Sequence, residues 1–385
     1  MKLLKQTRTF KEVIVVVRDL NLETRNLETS SFPKTCISDS LLLVETDIGD
    51  RESKITSFCR TSLRVFHQTT NKIVMTITVV VPTYRRPQDL YRCLEALKNQ
   101  TCQATEIIVT VRDIDVETWE FLKTYERGLL PLKTVTVSVT GVIAAMNAAV
   151  AVARGEIIAF TDDDAAPHPD WLQKINAHFM ADEKVAGVGG KDFMYENGQL
   201  VTGKEEIVGK IQWFGRTIGN HHVGIGEARE VEVLKGVNMS FRRSVFRDLK
   251  FDTRMLGTGA QVHFEIAFCT KLILAGWKLI YDPEILVDHY RAQRFDEDMR
   301  HQFNEVAWFN EVHNLTLALL EYLPPSRRNF YLAWSVLVGT RKGFGLVQLL
   351  RFFPQDGSLA VKKWLLSVQG RWQAWLNWRS GIVSN

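Results

Sequence analysis

The chain has 385 residues, enough for one large domain with extensions or for two domains. Hydrophobic residues make up 45% of it and charged residues 24%, a composition typical of a globular protein that excludes a disordered one. The formal net charge of +4 is small, and no basic run is interleaved with aromatic residues, so we expect no nucleic-acid partner.

Cysteine usage and the first residues bear on the compartment. The five cysteines form no C-x-x-C pair and are odd in number, which favours a reduced cytoplasm over a disulfide framework. The first twenty residues carry charge on both sides of a short apolar run and do not match a signal peptide. No run reaches the roughly 18 to 20 apolar residues of a membrane span. We therefore expect a cytoplasmic protein, either free or peripheral on the inner face of the plasma membrane.

Residues 1–74 differ in pattern from the rest of the chain. The runs EVIVVVRDL and SLLLVETDI are compatible with strands, but the polar stretch between them has no clear period. A sharper pattern begins at Met75. We interpret residues 1–74 as an amino-terminal extension of unknown role and assign no chemistry to them.

From Met75 onward, apolar runs typical of buried strands alternate with helical patterns. ITVVVP is followed by the helix PQDLYRCLEALKNQ, whose face combines Leu90, Cys93, Leu94 and Leu97. EIIVTV, VTVSV and EIIAF are further strands, and AAMNAAVAVARG is an alanine-rich helix. This alternation predicts an α/β fold with a mostly parallel, Rossmann-like sheet flanked by helices. Ligands of such sheets lie at the carboxyl ends of the strands.

Three aspartates, Asp162, Asp163 and Asp164, directly follow the strand EIIAF. Adjacent carboxylates repel one another, so the cluster costs stability unless a cation is present. Strand alternation directs Asp162 and Asp164 to one side, as a D-x-D pair suited to Mg²⁺ or Mn²⁺ together with diphosphate oxygens. The alternative is a solvated acidic turn before Pro167, with Asp170 capping the next helix.

The segment TDDDAAPHPDWL resembles the D-x-D strand end of glycosyltransferases with the GT-A fold. Four further segments resemble, in the same order, parts of the inverting glycosyltransferases of family 2: VVVPTYRRPQDLYRCLEAL, GVIAAMNAAVAVARGEIIAF, GVNMSFRRSVF and AGWKLIYDPEILVDH. Together they span residues 75–290, the predicted catalytic domain. The resemblance implies metal-dependent transfer of a sugar, with inversion, from a nucleotide diphosphate to an acceptor hydroxyl.

The resemblance also implies a donor site across the strand ends. The turn after the first strand is expected at the nucleotide, where either of its two arginines can contact a phosphate. The donor residues predicted at the strand ends are Pro82, Thr83, Tyr84, Arg85, Asp162 and Asp163, with Arg86 as the other candidate for the phosphate.

Two other donor contacts are less defined. After the second strand the chain reads TVRDIDVET instead of the family's D-D-G-S form, so Asp113 or Asp115 is expected to bind the base, unless they are turn residues. Asn147, on the alanine-rich helix, lies near the donor in the family. Its alternative is a structural bond to neighbouring backbone.

An inverting transfer needs a carboxylate that takes the proton of the acceptor hydroxyl. The family usually supplies it from an E-D pair in a G-x-G-E-D-x-D-L segment, whereas this chain reads GTGAQVHFEIAFCTKLILAGW. Counting back from the shared AGW step, Glu265 takes the place of the second acid, at a helix start whose dipole favours an anion. We predict Glu265 as the general base, with a capping role as the alternative.

His289 ends the strand ILVDH. Several GT-A enzymes have a metal-binding histidine after the closing strand, and neutral imidazole is a suitable ligand beside carboxylates. We predict a site for Mg²⁺ or Mn²⁺ formed by Asp162, Asp164 and His289, with a purely structural histidine as the alternative.

The stretch from 190 to 235 is rich in Gly, His and Trp, which is typical of a lid or binding loop. An aromatic ring there can stack on a sugar, and histidines can bond hydroxyl groups. A surface loop without chemistry is the alternative. The predicted acceptor side comprises Trp213, His221, His222, Asn238 and His263.

Residues 291–385 contain six of the ten tryptophans and more basic than acidic residues. Their helical patterns, NFYLAWSVLVGT, GLVQLLRFF and VKKWLLSVQGRWQAWLNW, predict an amphipathic helical region. Tryptophan and basic residues on such helices favour peripheral membrane contact and a glycan or lipid-linked acceptor, as in cell-envelope or exopolysaccharide synthesis. The alternative is a helical layer packed on the catalytic domain, or a dimer contact.

Two other functions compete with glycosyl transfer. A nucleotidyltransferase that makes nucleotide sugars would need a Gly-rich loop with a lysine after the first strand, which PTYRRP lacks. A non-catalytic relative that only binds sugar nucleotides is left open by the missing first acid of the E-D pair.

Overall fold

The computed structural model describes residues 75–295 and 302–381, so the predicted extension of residues 1–74 lies outside the described chain. The first half of the catalytic region follows the predicted alternation of strands and helices. Its elements are β1 (Ile77–Thr83), α1 (Pro87–Lys98), β2 (Glu106–Arg112), α2 (Val116–Thr124), β3 (Leu132–Val137), α3 (Val142–Val152) and β4 (Ile157–Phe160).

The second half adds longer strands and several short ones. Its elements are β5 (Ala165–Pro167), α4 (Trp171–Ala181), β6 (Val185–Glu196), β7 (Gln199–Leu200), β8 (Lys210–Ile211), β9 (Thr217–Ile218), β10 (Arg229–Glu230), β11 (Met239–Arg242), a 3-10 helix (Arg243–Arg247), α5 (Phe264–Leu274) and β12 (Lys278–His289). The carboxyl-terminal elements are α6 (Glu305–Tyr322), α7 (Pro325–Leu337), β13 (Gly339–Thr340), β14 (Gly343–Phe344), α8 (Leu346–Asp356) and α9 (Ser358–Arg379).

Ten of the described strands form one sheet, in the order β10-β12-β6-β11-β4-β1-β2-β3, with β5 beside β12 and β7 beside β6. The pairs β1–β2, β1–β4, β2–β3 and β6–β12 are parallel, which confirms the predicted α/β architecture. Strand β11 is antiparallel to both neighbours, β4 and β6. The sequence did not indicate this reversal, because a short strand buried on both faces has the same apolar pattern in either direction.

Alternation along the strands divides the core between the two faces of the sheet. In β1, Val80 faces the layer that contains α3 and α5, while Val79 and Val81 face the layer that contains α1 and α4. The predicted inner face of α1 is confirmed, since all four of its residues are buried: Leu90, Cys93, Leu94 and Leu97. Strand β3 begins three residues before the predicted VTVSV run, because an edge strand is only partly buried and its apolar residues do not mark its ends.

The carboxyl-terminal helices share this core. Leu317 and Leu319 of α6 and Ala374 of α9 are fully buried in the same cluster as Phe268 of α5. For α6 and the inner face of α9, the structure therefore shows a helical layer packed on the catalytic sheet, which was the alternative to membrane contact. None of the helices in the described chain is both long and apolar enough to cross a bilayer.

One buried residue of α6, Asn314, attaches this layer to the segment that precedes α5. Its Nδ2 donates hydrogen bonds to the carbonyl oxygens of Leu256 (2.9 Å) and Val262 (3.1 Å), and its Oδ1 accepts one from Leu256 N (2.7 Å). The segment 256–262 is therefore held by a side chain from more than fifty residues further along the chain.

Replacement of Asn314 by alanine would leave three partly buried backbone groups without this partner. We expect Asn314→Ala to lower the free energy of unfolding by about 3 kcal/mol, measured by urea denaturation. The exposed Asn329 provides the control, because Asn329→Ala should stay within about 0.5 kcal/mol of the parent. Equal stabilities of the two variants would contradict the role given to Asn314.

Candidate active site

A cleft opens at the carboxyl ends of β1, β2 and β4. One wall is formed by the turn after β1 and by the acidic residues after β4. The opposite wall is formed by the segment 258–262, the first turn of α5 and the segment 235–237. His289 and the residues that follow β12 close one end.

The acidic strand end is buried, so the alternative of a solvated turn is wrong. Asp163 is 0% and Asp164 5% exposed, and the Arg86 guanidinium lies 3.1 Å from Asp163 Oδ1 and 3.2 Å from Asp164 Oδ2. Asp170 makes no capping hydrogen bond and instead pairs with Lys174 at 2.8 Å. The cluster is thus a set of desolvated carboxylates that need compensating charge.

The pKa values of the cluster show incomplete compensation. Burial raises the pKa of Asp163 to about 7, against the opposing effect of Arg86. Burial would also raise the pKa of Asp164, but His289, Arg86 and the hydrogen bond from Ala292 N lower it overall. Burial and the neighbouring Asp164 raise the pKa of Asp162. A further cation beside these carboxylates would favour their charged forms.

Asp162, Asp164 and His289 offer ligand atoms that all lie within 4.8 Å of one another. His289 Nε2 lies 3.6 Å from Asp164 Oδ1, a buried oxygen that accepts no hydrogen bond. Strand β5 brings the histidine to this position, since His289 pairs with Ala165, the residue next to Asp164. Two carboxylates and an imidazole form a donor set that can hold Mg²⁺ or Mn²⁺.

Asp192 of β6, which the sequence analysis missed, lies behind His289. It is fully buried, and its Oδ2 accepts hydrogen bonds from His289 Nδ1 (3.2 Å) and Lys235 Nζ (2.5 Å). Burial opposes ionisation of Asp192, but Lys235 and His289 outweigh it and lower its pKa to about 2. The bond to Nδ1 orients the ring and leaves Nε2 towards the aspartates. The signal in the sequence was a single acid in the otherwise apolar run VAGVGGKDFM.

Glu265 lies on the opposite wall, in the first turn of α5, and is half-buried. Gly236 faces it closely, because a Cβ at this position would lie 3.3 Å from Glu265 Oε1. The unusual GAQ sequence before α5 has a structural cause: Gln261 accepts a hydrogen bond from Ile143 N (3.0 Å) and donates one to Met255 O (2.8 Å). Gln261 thus ties the amino terminus of α3 to the wall that carries Glu265.

The turn after β1 is only partly as predicted. Pro82, Thr83 and Tyr84 line the cleft as predicted. Arg85 does not line it, whereas Arg86, the other candidate for the phosphate, does. Arg85 has a left-handed backbone (φ 57°), and its guanidinium lies over the Phe295 ring, 5.3 Å from the centroid. The reversal of the chain at Arg85 directs the next arginine to the aspartates.

Neither aspartate predicted to bind the base lines the cleft. Asp115 is buried and accepts hydrogen bonds from Thr118 N (3.1 Å) and Arg85 N (2.6 Å), so it caps α2 and fixes the turn after β1. Asp113 is near the surface and accepts a hydrogen bond from Ile114 N (3.0 Å). Among these residues only Arg112, at the end of β2, reaches the cleft.

Asn147 also bonds to backbone and not into the cleft. Its Nδ2 donates to Phe251 O (2.9 Å) and its Oδ1 accepts from Phe251 N (3.1 Å), so both polar ends of the side chain are used. The structure therefore supports the alternative for Asn147, a structural bond to neighbouring backbone.

The predicted acceptor residues lie outside the cleft lining. Asn238 is buried and links neighbouring elements of the fold. Its Oδ1 accepts a hydrogen bond from Trp171 Nε1 (2.9 Å), and its Nδ2 donates one to Ile285 O (2.9 Å). The Trp213 ring packs against Phe330 of α7, with centroids 4.5 Å apart. Neither side chain is available to a sugar in the cleft.

None of the three predicted acceptor histidines lines the cleft. His221 is buried, with Nε2 2.9 Å from Val233 O, and burial lowers its pKa to about 4. His222, its neighbour, is half-buried, and its pKa is lowered mainly by burial. His263 Nε2 lies 3.6 Å from Glu311 Oε1 of α6. The sequence did not separate these residues from cleft residues, because their burial depends on tertiary packing.

Several cleft residues had no counterpart in the sequence analysis. They lie after β10, before α5 and beyond the predicted domain end at residue 290, where the short segment RAQRF combines basic and aromatic side chains. These additional lining residues include Lys235, Gly236, Thr258, Arg291, Gln293, Arg294 and Phe295.

Comparison with known proteins gives consistent matches. Residues 78–250 match the sequence model of glycosyl transferase family 2. Glycosyltransferase AglE of Haloferax volcanii is 26% identical over 267 residues, which cover 68% of this chain and 80% of that protein. The glucosyl-dolichyl phosphate glucuronosyltransferase of the same organism is 24% identical over 311 residues, covering 76% of this chain and 92% of that protein.

Solved structures show the same fold at low identity. TarS of S. aureus in complex with UDP-GlcNAc has a TM-score of 0.53 at 18% identity, over 78% of this chain and 81% of that chain. GalNAc-T7 with UDP, GalNAc and Mn²⁺ has a TM-score of 0.53 at 14% identity, over 73% of this chain and 55% of that chain.

The buried His221 predicts a pH dependence of stability. Its pKa is about 4 in the folded chain against 6.5 when unfolded, so its contribution is complete above 6.5 and is lost as the pH falls towards 4. Between pH 7.5 and 5 we expect it to remove about 2 kcal/mol of unfolding free energy.

His221→Gln keeps a donor near Val233 O but does not titrate. Its unfolding free energy should therefore fall about 2 kcal/mol less than that of the parent over the same pH interval, in urea denaturation at each pH. Parallel pH profiles of the two proteins would show that His221 is not a neutral buried side chain.

Proposed function

We propose that this chain, whose residues 78–250 match the model of glycosyl transferase family 2, transfers a sugar from a nucleotide diphosphate to an acceptor hydroxyl with inversion. The observation that carries the proposal is one cleft with a buried acidic strand end on one wall and Glu265 on the other. A non-catalytic relative would not need a carboxylate on the second wall.

The donor binds with its diphosphate towards the strand end. Asp162, Asp164 and His289 would hold a divalent ion, Mn²⁺ or Mg²⁺, and their mutual distances support this. When bound, the ion supplies positive charge to the oxygens of the leaving diphosphate. Arg86 neutralises the buried carboxylates, and Lys235, which lines the cleft, holds Asp192 against His289.

Glu265 acts as the general base. The acceptor oxygen attacks the anomeric carbon and forms the new glycosidic bond, while its proton passes to the Glu265 carboxylate. The bond between the anomeric carbon and the diphosphate oxygen breaks, and the nucleoside diphosphate leaves with the electron pair. Among the described residues that line the cleft, the other carboxylates are Asp162, Asp163 and Asp164, all at the acidic strand end assigned to the metal ion and the diphosphate, so Glu265 is the one available to a hydroxyl.

The acceptor is a glycan or lipid-linked glycan in envelope or exopolysaccharide synthesis. The choice of acceptor rests on similarity to known proteins, since one relative is named for its action on a glucosyl-dolichyl phosphate. An acceptor carried by a lipid would also explain why a helical layer is joined to the wall that holds Glu265.

The base assignment predicts a loss of turnover without a loss of binding. We expect Glu265→Gln to lower kcat about 10²- to 10⁴-fold, because the amide cannot take the hydroxyl proton. Donors are first found by thermal shift with and without Mn²⁺, and turnover is then measured as release of nucleoside diphosphate. Glu120→Gln, at an exposed glutamate of α2, is the matched control. Unchanged turnover in Glu265→Gln would remove the base assignment.

The pairing of Asp192 with His289 predicts weaker metal binding when Asp192 is changed. Asp192→Asn loses the charge that orients the imidazole, so the Mn²⁺ affinity should fall about 10- to 100-fold, measured by the electron paramagnetic resonance signal of free Mn²⁺. The control is Asp282→Asn, which disrupts a similar pair with His178 (2.7 Å) outside the cleft. If both variants bind Mn²⁺ equally, Asp192 does not support a metal site.

A further inference from the structure

The carboxyl-terminal helices after α6 have a strongly uneven charge. Residues 325–381, which the structure describes completely, contain nine Lys or Arg and a single acidic residue, Asp356, so their net charge is +8. Since the whole chain carries +4, the remainder carries −4. Asp356 is itself paired with Lys363 at 3.0 Å. The positive charge is therefore concentrated on one part of the molecule, and it is only partly balanced, by the pairs of Lys342 with Glu311 and of Lys362 with Glu305 of α6.

Helix α8 presents an apolar stripe to solvent. Leu346, Leu350 and Phe353 are spaced at i, i+4 and i+7 and are 43%, 66% and 52% exposed, with Val347 beside them at 49%. The adjoining end of α7 adds Val336 and Leu337, which are 42% and 56% exposed. We call these six residues the α7–α8 surface.

The opposite face of α8 is fixed to the protein. The Phe352 ring stacks on Phe344 of β14 with centroids 5.4 Å apart, and Leu349 packs on the same cluster. The exposure of the apolar stripe is therefore not a consequence of a loosely attached helix. An exposed apolar surface of this kind marks an interaction site.

Exposed basic side chains lie on α8 itself and on the hairpin that precedes it. Arg341 and Lys342 lie in the turn between β13 and β14, and Arg351 lies within α8, all three of them exposed. Apolar residues with a basic rim and no unpaired acid match a bilayer that carries anionic headgroups. A second copy of this chain that met it through the same surface would bring like charges together, which is unfavourable.

We propose that the α7–α8 surface docks peripherally on a membrane containing anionic lipids, with α8 lying in the plane of the interface. The docking extends the proposed function, because α6 joins these helices to the cleft wall through Asn314. The membrane would then hold the Glu265 wall in a fixed relation to a lipid-linked acceptor. Binding to lipid itself does not depend on the proposed transfer.

The test is sedimentation of the full chain with vesicles of phosphatidylcholine, with or without phosphatidylglycerol. We expect binding to the anionic vesicles only, decreasing with added salt. Leu350→Glu with Phe353→Glu should weaken it at least about ten-fold, because two charges enter the interface. Arg341→Gln with Lys342→Gln should weaken it about five-fold for each charge removed.

The matched control is Leu129→Glu with Leu274→Glu, two exposed leucines outside the α7–α8 surface, and it should bind as the parent does. Equal binding by the Leu350→Glu, Phe353→Glu variant and this control would overturn the proposal. So would an absence of binding to anionic vesicles, or a stable dimer of the parent that the same variant converts to a monomer.

Release of nucleoside diphosphate in the absence of lipid separates this proposal from the proposed function. The Leu350→Glu, Phe353→Glu variant should retain the parent's rate, because its substitutions lie outside the cleft. A parent that binds vesicles but turns over no donor would contradict the proposed function and leave the docking surface intact.

Discussion

The structure depends on how it tolerates three adjacent carboxylates at the end of β4, of which Asp163 and Asp164 are buried and Asp162 is half-buried. Desolvated charges of one sign are strongly unfavourable unless opposite charge is placed beside them. The chain supplies part of that charge from two distant segments: Arg86 reaches the cluster from the turn after β1, and His289 from the end of β12. Both are brought there by strand pairing, of β1 with β4 and of β12 with the short β5. The raised pKa of Asp163, about 7, indicates that the compensation is incomplete, as expected of a site that binds a cation.

The second wall of the cleft depends on packing instead of charge. Glu265 is positioned by a segment whose backbone is held by Gln261 and Asn314, one bonded to α3 and the other belonging to α6. The carboxyl-terminal layer is therefore part of the catalytic architecture and not an appendage. The same layer carries the exposed apolar stripe of α8 and the positive charge, so attachment to a surface and orientation of the cleft would be mechanically coupled.

Features determined by local pattern could be predicted from the sequence, and features determined by long-range contacts could not. The buried face of α1 and the strands around the aspartates follow from periodicity, whereas Glu265 and His289 were predicted from the resemblance to family 2, and both line the cleft. The choice of Arg86 over Arg85 depends on a left-handed backbone in a turn, which no periodicity reveals. The role of Asp192 requires the pairing of β6 with β12, and the burial of His221 requires the packing of an irregular segment against Tyr281. An amphipathic helix pattern likewise does not distinguish a face covered by protein, as in α6, from one left exposed, as in α8.

The acidic strand end and His289 are proposed to bind one divalent ion. The most direct measurement is the anomalous diffraction signal of a crystal grown with Mn²⁺ and a nucleoside diphosphate. A single strong peak within about 2.5 Å of an Asp164 carboxylate oxygen and of His289 Nε2 is the predicted result. A peak elsewhere, or none at this position at saturating Mn²⁺, would contradict it.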